Sequence, residues 1–379
     1  MRKIVFSGIF MLLLVHQSAS AQTKTAISQL KFIDVHELPH NLPFKNTTVG
    51  GLSGIDYDSR HGLYYMICDD RSAINPARYY SAKIFFDGKK IDSVVFVNVT
   101  TLLQPNRKPY PATTLDPAHT PDPEALRYNP VLKQMIWTSE GEKNFRTKEK
   151  DTILENPAIV RMTPGGKYID TFPLSKNLRV HAGDKGPRKN GVLEGFSFAN
   201  NYKTLYVSLE EPLYEDGPRA DLVDNKAWVR FYKFDIKSQK NTAQYAYKLD
   251  PVAYPAKPAN AFKVNGIPDI LSIGDDKFLV LERSFSTGVL QCSIKIFLAD
   301  LKGATDIKNT ASLKETPAAK PITKKLLMNM DSLGLYVDNV EGITLGPLLP
   351  NGHRSLILVA DDNFSATQKT QFFLFEIQP

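Results

Sequence analysis

Acidic residues recur at the start of one strand-like segment and at the end of the next, at five places along the chain. The clearest example starts with Glu194-Gly195 and ends, after a turn, with Glu210 and Glu211. In an antiparallel hairpin, the first residue of one strand lies about 5 Å from the last residue of its partner. Each unit therefore predicts two neighbouring carboxylates, an arrangement that can bind a hard cation or move a proton.

The other four units keep this order and differ in their acids. Their first segments start at positions 53, 124, 269 and 341, so with position 194 the successive spacings are 71, 70, 75 and 72 residues. A rhythm this regular over a whole chain predicts a repeat architecture. The pairs in these units are Glu124 with Glu140, Glu341 with Asp361 or Asp362, Asp269 with Glu282, and Asp69 or Asp70 beside Gly54.

Each unit continues with two more strand-like segments, separated by turns such as Pro164-Gly165-Gly166. No stretch has the sustained 3.6-residue period of a long helix. Four antiparallel strands repeated radially predict an all-β fold, a single β-propeller of four-stranded blades. Five blades are recognisable, and the alternative is a sixth, degenerate blade within residues 302–333, a region whose composition favours a long loop.

The two ends of the chain predict how the ring closes. The fifth unit stops at Pro379 after three strands, and the strand-like residues 27–38 belong to no unit. We therefore expect the N-terminal strand to complete the last blade, because this would remove an exposed sheet edge.

The N-terminus has the features of a secretory signal peptide. Arg2 and Lys3 precede apolar residues 4–15, and Ala19-Ser20-Ala21 forms a small-x-small cleavage site. Cleavage after Ala21 would leave residues 22–379 as the propeller domain. No cysteine follows the site and no later stretch approaches 18 apolar residues, so we expect no membrane anchor and a periplasmic or secreted protein.

Composition excludes several classes of protein. The formal charge is +7, and it falls to +5 without Arg2 and Lys3; no run of basic residues suggests nucleic acid as a partner. The histidines lack zinc-site spacing, and Gly51-Leu52-Ser53-Gly54 is not a serine-hydrolase elbow. Cys68 and Cys292 fall in blades that are not neighbours, which predicts two buried free thiols. We expect a monomer.

If the first strands line the channel, all the acids crowd one mouth. Such carboxylates repel one another unless a cation lies among them. The cation is either Ca²⁺ or the basic residues that follow the second strands, and both readings are open. Strand-end acids also occur as solvated loop residues or as structural ion pairs, which is the non-functional alternative. The basic residues are Arg71, Lys143, Arg146 and Arg283.

Several motifs together resemble the phytase-like family, described by an esterase-like activity of phytase. They are GGLSGIDYD near Gly50, DPEAL at Asp122, SEGE at Ser139, LEGFSF at Leu193, SLEEPL at Ser208, LERSF at Leu281, and NVEGITL with ADDNFS near the end. The resemblance implies an exported propeller that hydrolyses or binds phosphate or carboxylic esters, with calcium. The chain departs from the motif at Ser53 and at Asp269, where Pro268 replaces the glycine context. The matching acids are Glu124, Glu140, Glu194, Glu210, Glu282, Glu341 and Asp361.

The leading hypothesis is an exported, metal-assisted hydrolase of small anionic esters. In it, carboxylates at the channel mouth hold calcium, Glu194 acts as general base, and basic residues neutralise developing charge. The alternative is a non-catalytic propeller that binds a small ligand or a protein partner. The predicted metal ligands are Glu140, Glu210, Glu282, Asp361 and Asp70. The predicted catalytic residues are Glu194, Glu124, Glu341, Arg71, Arg283 and Lys143.

Overall fold

Short runs of aromatic and β-branched residues, separated by polar turns, form the strands of this protein. The structure is a computed structural model, and it describes residues 27–145 and 152–379. The predicted signal peptide and Arg146 lie outside these residues. Among the described residues, no helix has the length and apolar character needed to cross a bilayer.

Strands β1 to β13 form the N-terminal segment and the first two blades. The segment before blade 1 holds β1 (Gln29–Glu37), β2 (Leu42–Phe44) and β3 (Thr47–Val49). Blade 1 holds β4 (Leu52–Asp58), β5 (Leu63–Cys68), β6 (Arg78–Phe86) and β7 (Ile91–Thr101). Blade 2 holds β8 (Pro123–Asn129), β9 (Gln134–Ser139), β12 (Ala158–Met162) and β13 (Tyr168–Thr171), with the hairpin β10 (Glu142–Phe145) and β11 (Thr152–Glu155) inserted.

Strands β14 to β25 form the other three blades. Blade 3 holds β14 (Leu193–Ala199), β15 (Thr204–Leu209), β16 (Trp228–Asp235) and β17 (Asn241–Lys248). Blade 4 holds β18 (Lys263–Gly266), β19 (Ile270–Gly274), β20 (Lys277–Ser286), β21 (Ser293–Asp300) and β22 (Thr323–Asn329). Blade 5 holds β23 (Asn339–Leu348), β24 (Arg354–Asp361) and β25 (Gln371–Gln378). Two 3₁₀ turns, Lys176–Leu178 and Met330–Leu333, complete the elements.

The structure confirms the five-bladed propeller and its closure. Every blade is an antiparallel sheet, and β4, β8, β14, β19 and β23 contact one another around the channel. Strand β1 pairs with β25 from Gln29 opposite Gln378 to Glu37 opposite Gln371, so the N-terminal strand completes blade 5. Cys68 and Cys292 are buried free thiols, as predicted.

Residues 302–333 do not form a sixth blade, and they are not a simple loop. The irregular part ends at β22, which pairs with β21 and supplies the fourth strand of blade 4. Its pattern is weak because it is an outer strand with one face in solvent: Lys324 and Lys325 lie among apolar residues rather than alternating with them.

A β-bulge interrupts the inner strand of four blades at the acidic motif. In β14, one residue is inserted between Leu193 and Phe196, next to Glu194. The equivalent insertions fall at Ser53 in β4, at Glu124-Ala125 in β8 and at Glu341 in β23. A bulge turns a side chain out of the regular alternation. At Glu194, Glu124 and Glu341 it aims the acid at the channel end, whereas the Ser53 hydroxyl donates to the Glu124 carbonyl.

The glycine that follows the acid allows neighbouring inner strands to approach closely. A Cβ atom on Gly195 would lie 2.3 Å from the Cα of Asp269 in blade 4, and one on Gly342 would lie 2.9 Å from the Ile55 amide nitrogen. Backbone cannot give way cheaply at these distances. In the acidic-Gly motif, the glycine therefore allows the inner strands to pack closely enough to close the ring, and the acid lies at the mouth of the channel.

A buried ion pair crosses the channel below the acidic motif. Arg127 of β8 donates to Asp269 in blade 4 at 2.6 Å, and their side chains are 2% and 1% exposed. Arg127 also donates to the carbonyl oxygens of Ile55 and Ile343. The pair thus joins four blades. It separates the acidic mouth from a second cavity of about 200 Å³ at the other end of the channel.

The close approach at Gly195 predicts a stability loss. We expect Gly195→Ala to lower the free energy of unfolding by about 1–3 kcal/mol, because the new methyl group meets backbone of blade 4. The measurement is equilibrium urea unfolding, with Gly183→Ala as the control, since a Cβ at Gly183 has no neighbour within 4 Å. Equal losses in the two variants would contradict this role for Gly195.

Candidate functional site

The starts of the inner strands and the ends of the second strands surround one acidic cavity of about 310 Å³. Members of all five blades line it, because the bulges and strand ends of successive blades lie at the same end of the ring. We call it the acidic mouth. Its acidic lining residues are Asp69, Asp122, Glu124, Glu140, Glu194, Glu210, Glu211 and Glu341. The other lining residues are Asn190, Phe262, Val264, Arg283, Phe285, Asn339 and Asn363.

Three groups of carboxylates are close enough to share a cation. In each group the oxygen atoms lie within 4.8 Å of one another. Glu140 belongs to two of the groups, so these two are contiguous, and the third group stands apart from them. The three groups are Asp69 with Glu341 and Asp361, Asp122 with Glu124 and Glu140, and Glu140 with Glu194 and Glu210.

Asp361 has no hydrogen bond of regular geometry in the part of the chain that the structure describes, although the Asn363 backbone amide opposes burial, which raises its pKa. Its side chain is fully buried, and neither carboxylate oxygen has a hydrogen-bond partner within 3.5 Å among the described residues. An unpaired buried carboxylate costs several kcal/mol. Asp361 is the last residue of β24, and its carboxylate lies close to those of Asp69 and Glu341. A cation bound between these three carboxylates would therefore compensate the charge of Asp361.

Burial and mutual repulsion raise the pKa values of these acids. Burial first, then Asp122 and Glu210, raises the pKa of Glu140 to about 8. Burial followed by the charges of Glu140 and Glu210 raises the pKa of Glu194 well above its usual range. For Asp361 the causes that raise the pKa are again burial and then Asp69. The acidic mouth therefore holds protons at neutral pH unless a cation replaces them.

Arg283 is the cation among the lining residues of the acidic mouth. Its guanidinium donates to Glu210 at 2.7 Å and also to Glu341 and Asn339, while its Nε has no partner among the described residues. Burial lowers its pKa, but Glu341 and Glu210 outweigh this and hold the pKa well above the usual range. Arg283 therefore neutralises part of the acidic ring and keeps two of its carboxylates in place.

Two of the predicted basic residues lie outside the lining of the acidic mouth. Arg71 donates to Glu142 at 2.6 Å and lies 3.7 Å from Asp122, so it stands behind a lining acid. Lys143 donates to the Gly183 carbonyl at 2.8 Å and lies against the ring of Tyr214. Lys143 was expected at the mouth, and this placement is wrong because hairpin β10–β11 turns it towards the loop that carries Gly183.

Asp70 does not reach the acidic mouth, and Asp69 does. Asp70 accepts hydrogen bonds from Arg78 at 2.7 Å and from three successive backbone amides, at Ala73, Ile74 and Asn75. Its carboxylate is used in holding the loop after β5. Neighbouring residues at a strand end point in opposite directions, and the expectation chose the wrong member of the pair.

Glu282 is also misplaced by the expectation. It accepts hydrogen bonds from Tyr247, Asn265 and Lys324, which belong to blades 3 and 4, and from the Asp250 amide. Strand β20 continues to Ser286 instead of ending at the acid, so alternation turns Glu282 away from the mouth and Arg283 towards it. The remaining predicted acids, Glu124, Glu140, Glu194, Glu210, Glu341 and Asp361, are brought together.

Sequence reasoning missed several members of the site. Asp122 lies two residues before Glu124, and its signal was the acid that opens the DPEAL motif. Asn339 has no such signal, since it becomes part of the site only through Arg283 and Glu341. Phe262 precedes the blade-4 acids, and Phe285 ends the LERSF motif, whose phenylalanine carries no predicted role; the fold therefore decides that both rings lie at the mouth.

Comparison with solved structures gives distant similarities. An endo-arabinase from Bacteroides thetaiotaomicron is 11% identical, with 90% of this chain and 98% of that chain covered and a TM-score of 0.45. A periplasmic gluconolactonase from Pseudomonas aeruginosa is 9% identical, with 86% and 84% covered and a TM-score of 0.36. A gluconolactonase from Xanthomonas campestris is 8% identical, with 93% and 98% covered and a TM-score of 0.36. These values carry no argument about activity.

Comparison with curated proteins and with protein families gives one match. No curated protein matches the sequence. The family model described as "Phytase-like: Esterase-like activity of phytase" matches residues 47–364, which include all five inner strands and the acidic mouth. The match confirms the resemblance carried by the acidic-Gly motifs. The chain belongs to the phytase-like family.

Proposed function

We propose that this protein is an exported hydrolase of phosphate or related esters that works with calcium bound at the acidic mouth. The observation that carries the proposal is the set of three carboxylate groups, one of which includes the buried Asp361 with no hydrogen bond of regular geometry among the described residues. The family description, an esterase-like activity of phytase, supports the reaction class. The sequence features of a signal peptide support export.

The chemistry of the donors favours calcium over a transition metal. The three groups contain carboxylate oxygens and neither histidine nor cysteine. Hard oxygen ligands in flexible number suit Ca²⁺, whereas zinc and copper sites use nitrogen or sulfur. Asp69, Glu341 and Asp361 would hold one ion, and Asp122 with Glu124 and Glu140 would hold a second, which leaves Glu194 free to act as a base. A bound calcium ion would supply a Lewis acid for the ester oxygen and lower the pKa of a bound water.

The protein's own residues would prepare the substrate and move the proton. Arg283 holds Glu210 and Glu341 in place, so the carboxylates do not need to reorganise when a substrate enters. Glu194 lies beside Glu140 and Glu210, and burial together with their charges raises its pKa, which makes it a stronger base than a free glutamate. From this position it would take a proton from water. Arg71 stands behind Asp122, where it would balance the negative charge at that side.

The proposed mechanism predicts that activity depends on calcium. We expect turnover of phosphate monoesters or carboxylic esters that is lost with EDTA and restored by calcium. Asp361→Asn should reduce kcat/KM by at least about a hundredfold, because it removes a charged ligand that no other group replaces. The control is Asp224→Asn, whose carboxylate is half-exposed and pairs with Lys248 at the surface. Its activity should equal that of the wild type.

The outcomes separate the proposal from its alternative. Calcium binding by isothermal titration calorimetry without turnover of any ester would overturn the hydrolase and favour a propeller that binds a ligand. Turnover that is insensitive to EDTA would overturn the metal-assisted mechanism. Equal activity of Asp361→Asn and Asp224→Asn would remove the acidic mouth from the mechanism.

The raised pKa values predict how pH changes stability. The pKa of Glu140 is about 8 in the folded protein against 4.5 for a free glutamate, so the folded state binds the extra proton between these values. Stability of the ion-free protein should therefore fall as pH rises from about 4.5 to about 8. Calcium binds the deprotonated acids and opposes this loss.

Thermal unfolding checks this prediction at two pH values. We expect calcium to raise Tm by several degrees at pH 8 and by much less at pH 5.5, where protons already neutralise the mouth. Magnesium and sodium chloride at equal ionic strength control for general screening. A calcium effect that is the same at both pH values would contradict a proton-linked site.

A further inference from the structure

Blade 4 carries an apolar wall beside the acidic mouth that the other blades lack. Its inner strand is broken into β18 and β19, and β18 pairs with the part of β20 that continues beyond Arg283. Strand β18 lies within the longest spacing of the repeat, the 75 residues between Glu194 and Asp269. The wall consists of Phe262, Val264 and Phe285, all of which line the acidic mouth.

The two phenylalanine rings are exposed although they stand together. Phe262 is 49% exposed and Phe285 is 39% exposed, and their ring centroids are 6.2 Å apart. Val264, which pairs with Phe285 across the two strands, is buried. The guanidinium of Arg219 lies 5.4 Å from the ring of Phe262 on the side that leads to Glu211. Single exposed apolar residues are ordinary, but a pair at the edge of a polar cavity offers a binding face.

The charge of the acidic mouth limits which esters can enter. Eight acids and one arginine line it, and the basic residues at its rim are already paired. Arg219 pairs with Glu211, and Lys189 lies 3.8 Å from Glu142. A ligand with many phosphate groups would need several free cations, as in sites that recognise polyanions. Bound calcium would offset part of the acidic charge and leave room for one anionic group.

We propose that the Phe262–Phe285 wall binds an aromatic or bulky apolar group of the substrate. The site would then select esters that carry one anionic or polar head and one apolar group, over polyphosphorylated polyols. This inference rests on the proposed function, because it places the ester head at the calcium-binding carboxylates. The two aromatic faces would contact the apolar group while the head remains at the acids.

Two ligands with the same head group test the wall without requiring turnover. Phenylphosphonate and methylphosphonate have the same charge and differ in the apolar group. With calcium present, we expect calorimetry to show phenylphosphonate binding about tenfold more tightly, as expected for partly burying one ring. In the Phe262→Ala/Phe285→Ala variant this preference should fall to about twofold or less. The control is Phe85→Ala, which removes a ring that is 48% exposed on blade 1, away from the mouth.

Kinetic measurements test whether the number of phosphate groups on the substrate matters. Phenyl phosphate should have a lower KM than glycerol phosphate, and inositol hexakisphosphate should be the poorest substrate of the three. The double variant should raise KM for phenyl phosphate about tenfold and leave KM for glycerol phosphate unchanged. Thermal unfolding of each variant confirms that it is folded, and the single variant Phe262→Ala should show an intermediate effect.

The possible results separate this inference from the proposed function. Equal binding of the two phosphonates, or a preference that the double variant retains, overturns the wall and leaves the hydrolase proposal intact. No turnover of any ester, with phenylphosphonate still preferred, overturns the hydrolase and supports the wall as a ligand-binding face. Faster turnover of inositol hexakisphosphate than of phenyl phosphate overturns the selection against polyanions.

Discussion

The mutual repulsion of buried carboxylates is the constraint on which the site depends. Three groups of acids, two of which share Glu140, stand around one cavity, and Arg283 is the cation among the residues that line it. Burial in a low-dielectric cavity penalises each charge and strengthens its repulsion of the others. The protein must therefore hold these acids as protonated groups or as ligands of a cation. This constraint links the repeated motif to the proposed calcium-dependent chemistry and to the predicted pH-dependent stability.

The acidic-Gly motif meets two demands of a closed ring at one point. Its glycine allows neighbouring inner strands to touch, as Gly195 does with Asp269, and its bulge aims the acid at the mouth. Just below, the Arg127–Asp269 pair ties blades across the channel and closes it between the two cavities. Breaking such a buried pair by removing one partner leaves an uncompensated charge. The same motif thus both closes the ring and positions the acids.

Blade 4 departs from the repeat, and this departure gives the site a direction. Asp269, the acid that opens its inner segment, is used by Arg127, and its second strand presents Arg283 instead of an acid. The extended hairpin above them brings Phe262 and Phe285 to the rim. A ring of five equal acidic units would bind a cation with no preferred side. Under the proposal that the wall binds substrate, the base and the apolar wall of blade 4 would give a polar head and an apolar group separate faces.

The sequence by itself determined the all-β propeller, the closing strand and the acids of the regular units, and it favoured five blades while leaving a sixth open until the structure placed β22 in blade 4. It could do so because strand periodicity and a 70- to 75-residue repeat are local properties of the chain. Only the tertiary structure decided which of two adjacent acids faces the mouth, as with Asp69 and Asp70, and that Glu282 packs against Tyr247 and Lys324. Side chains alternate with a period of two, so a bulge or a strand that runs one residue further reverses the outcome without changing the motif. The apolar wall and the role of Asn339 depend on contacts between distant segments, which no local pattern contains.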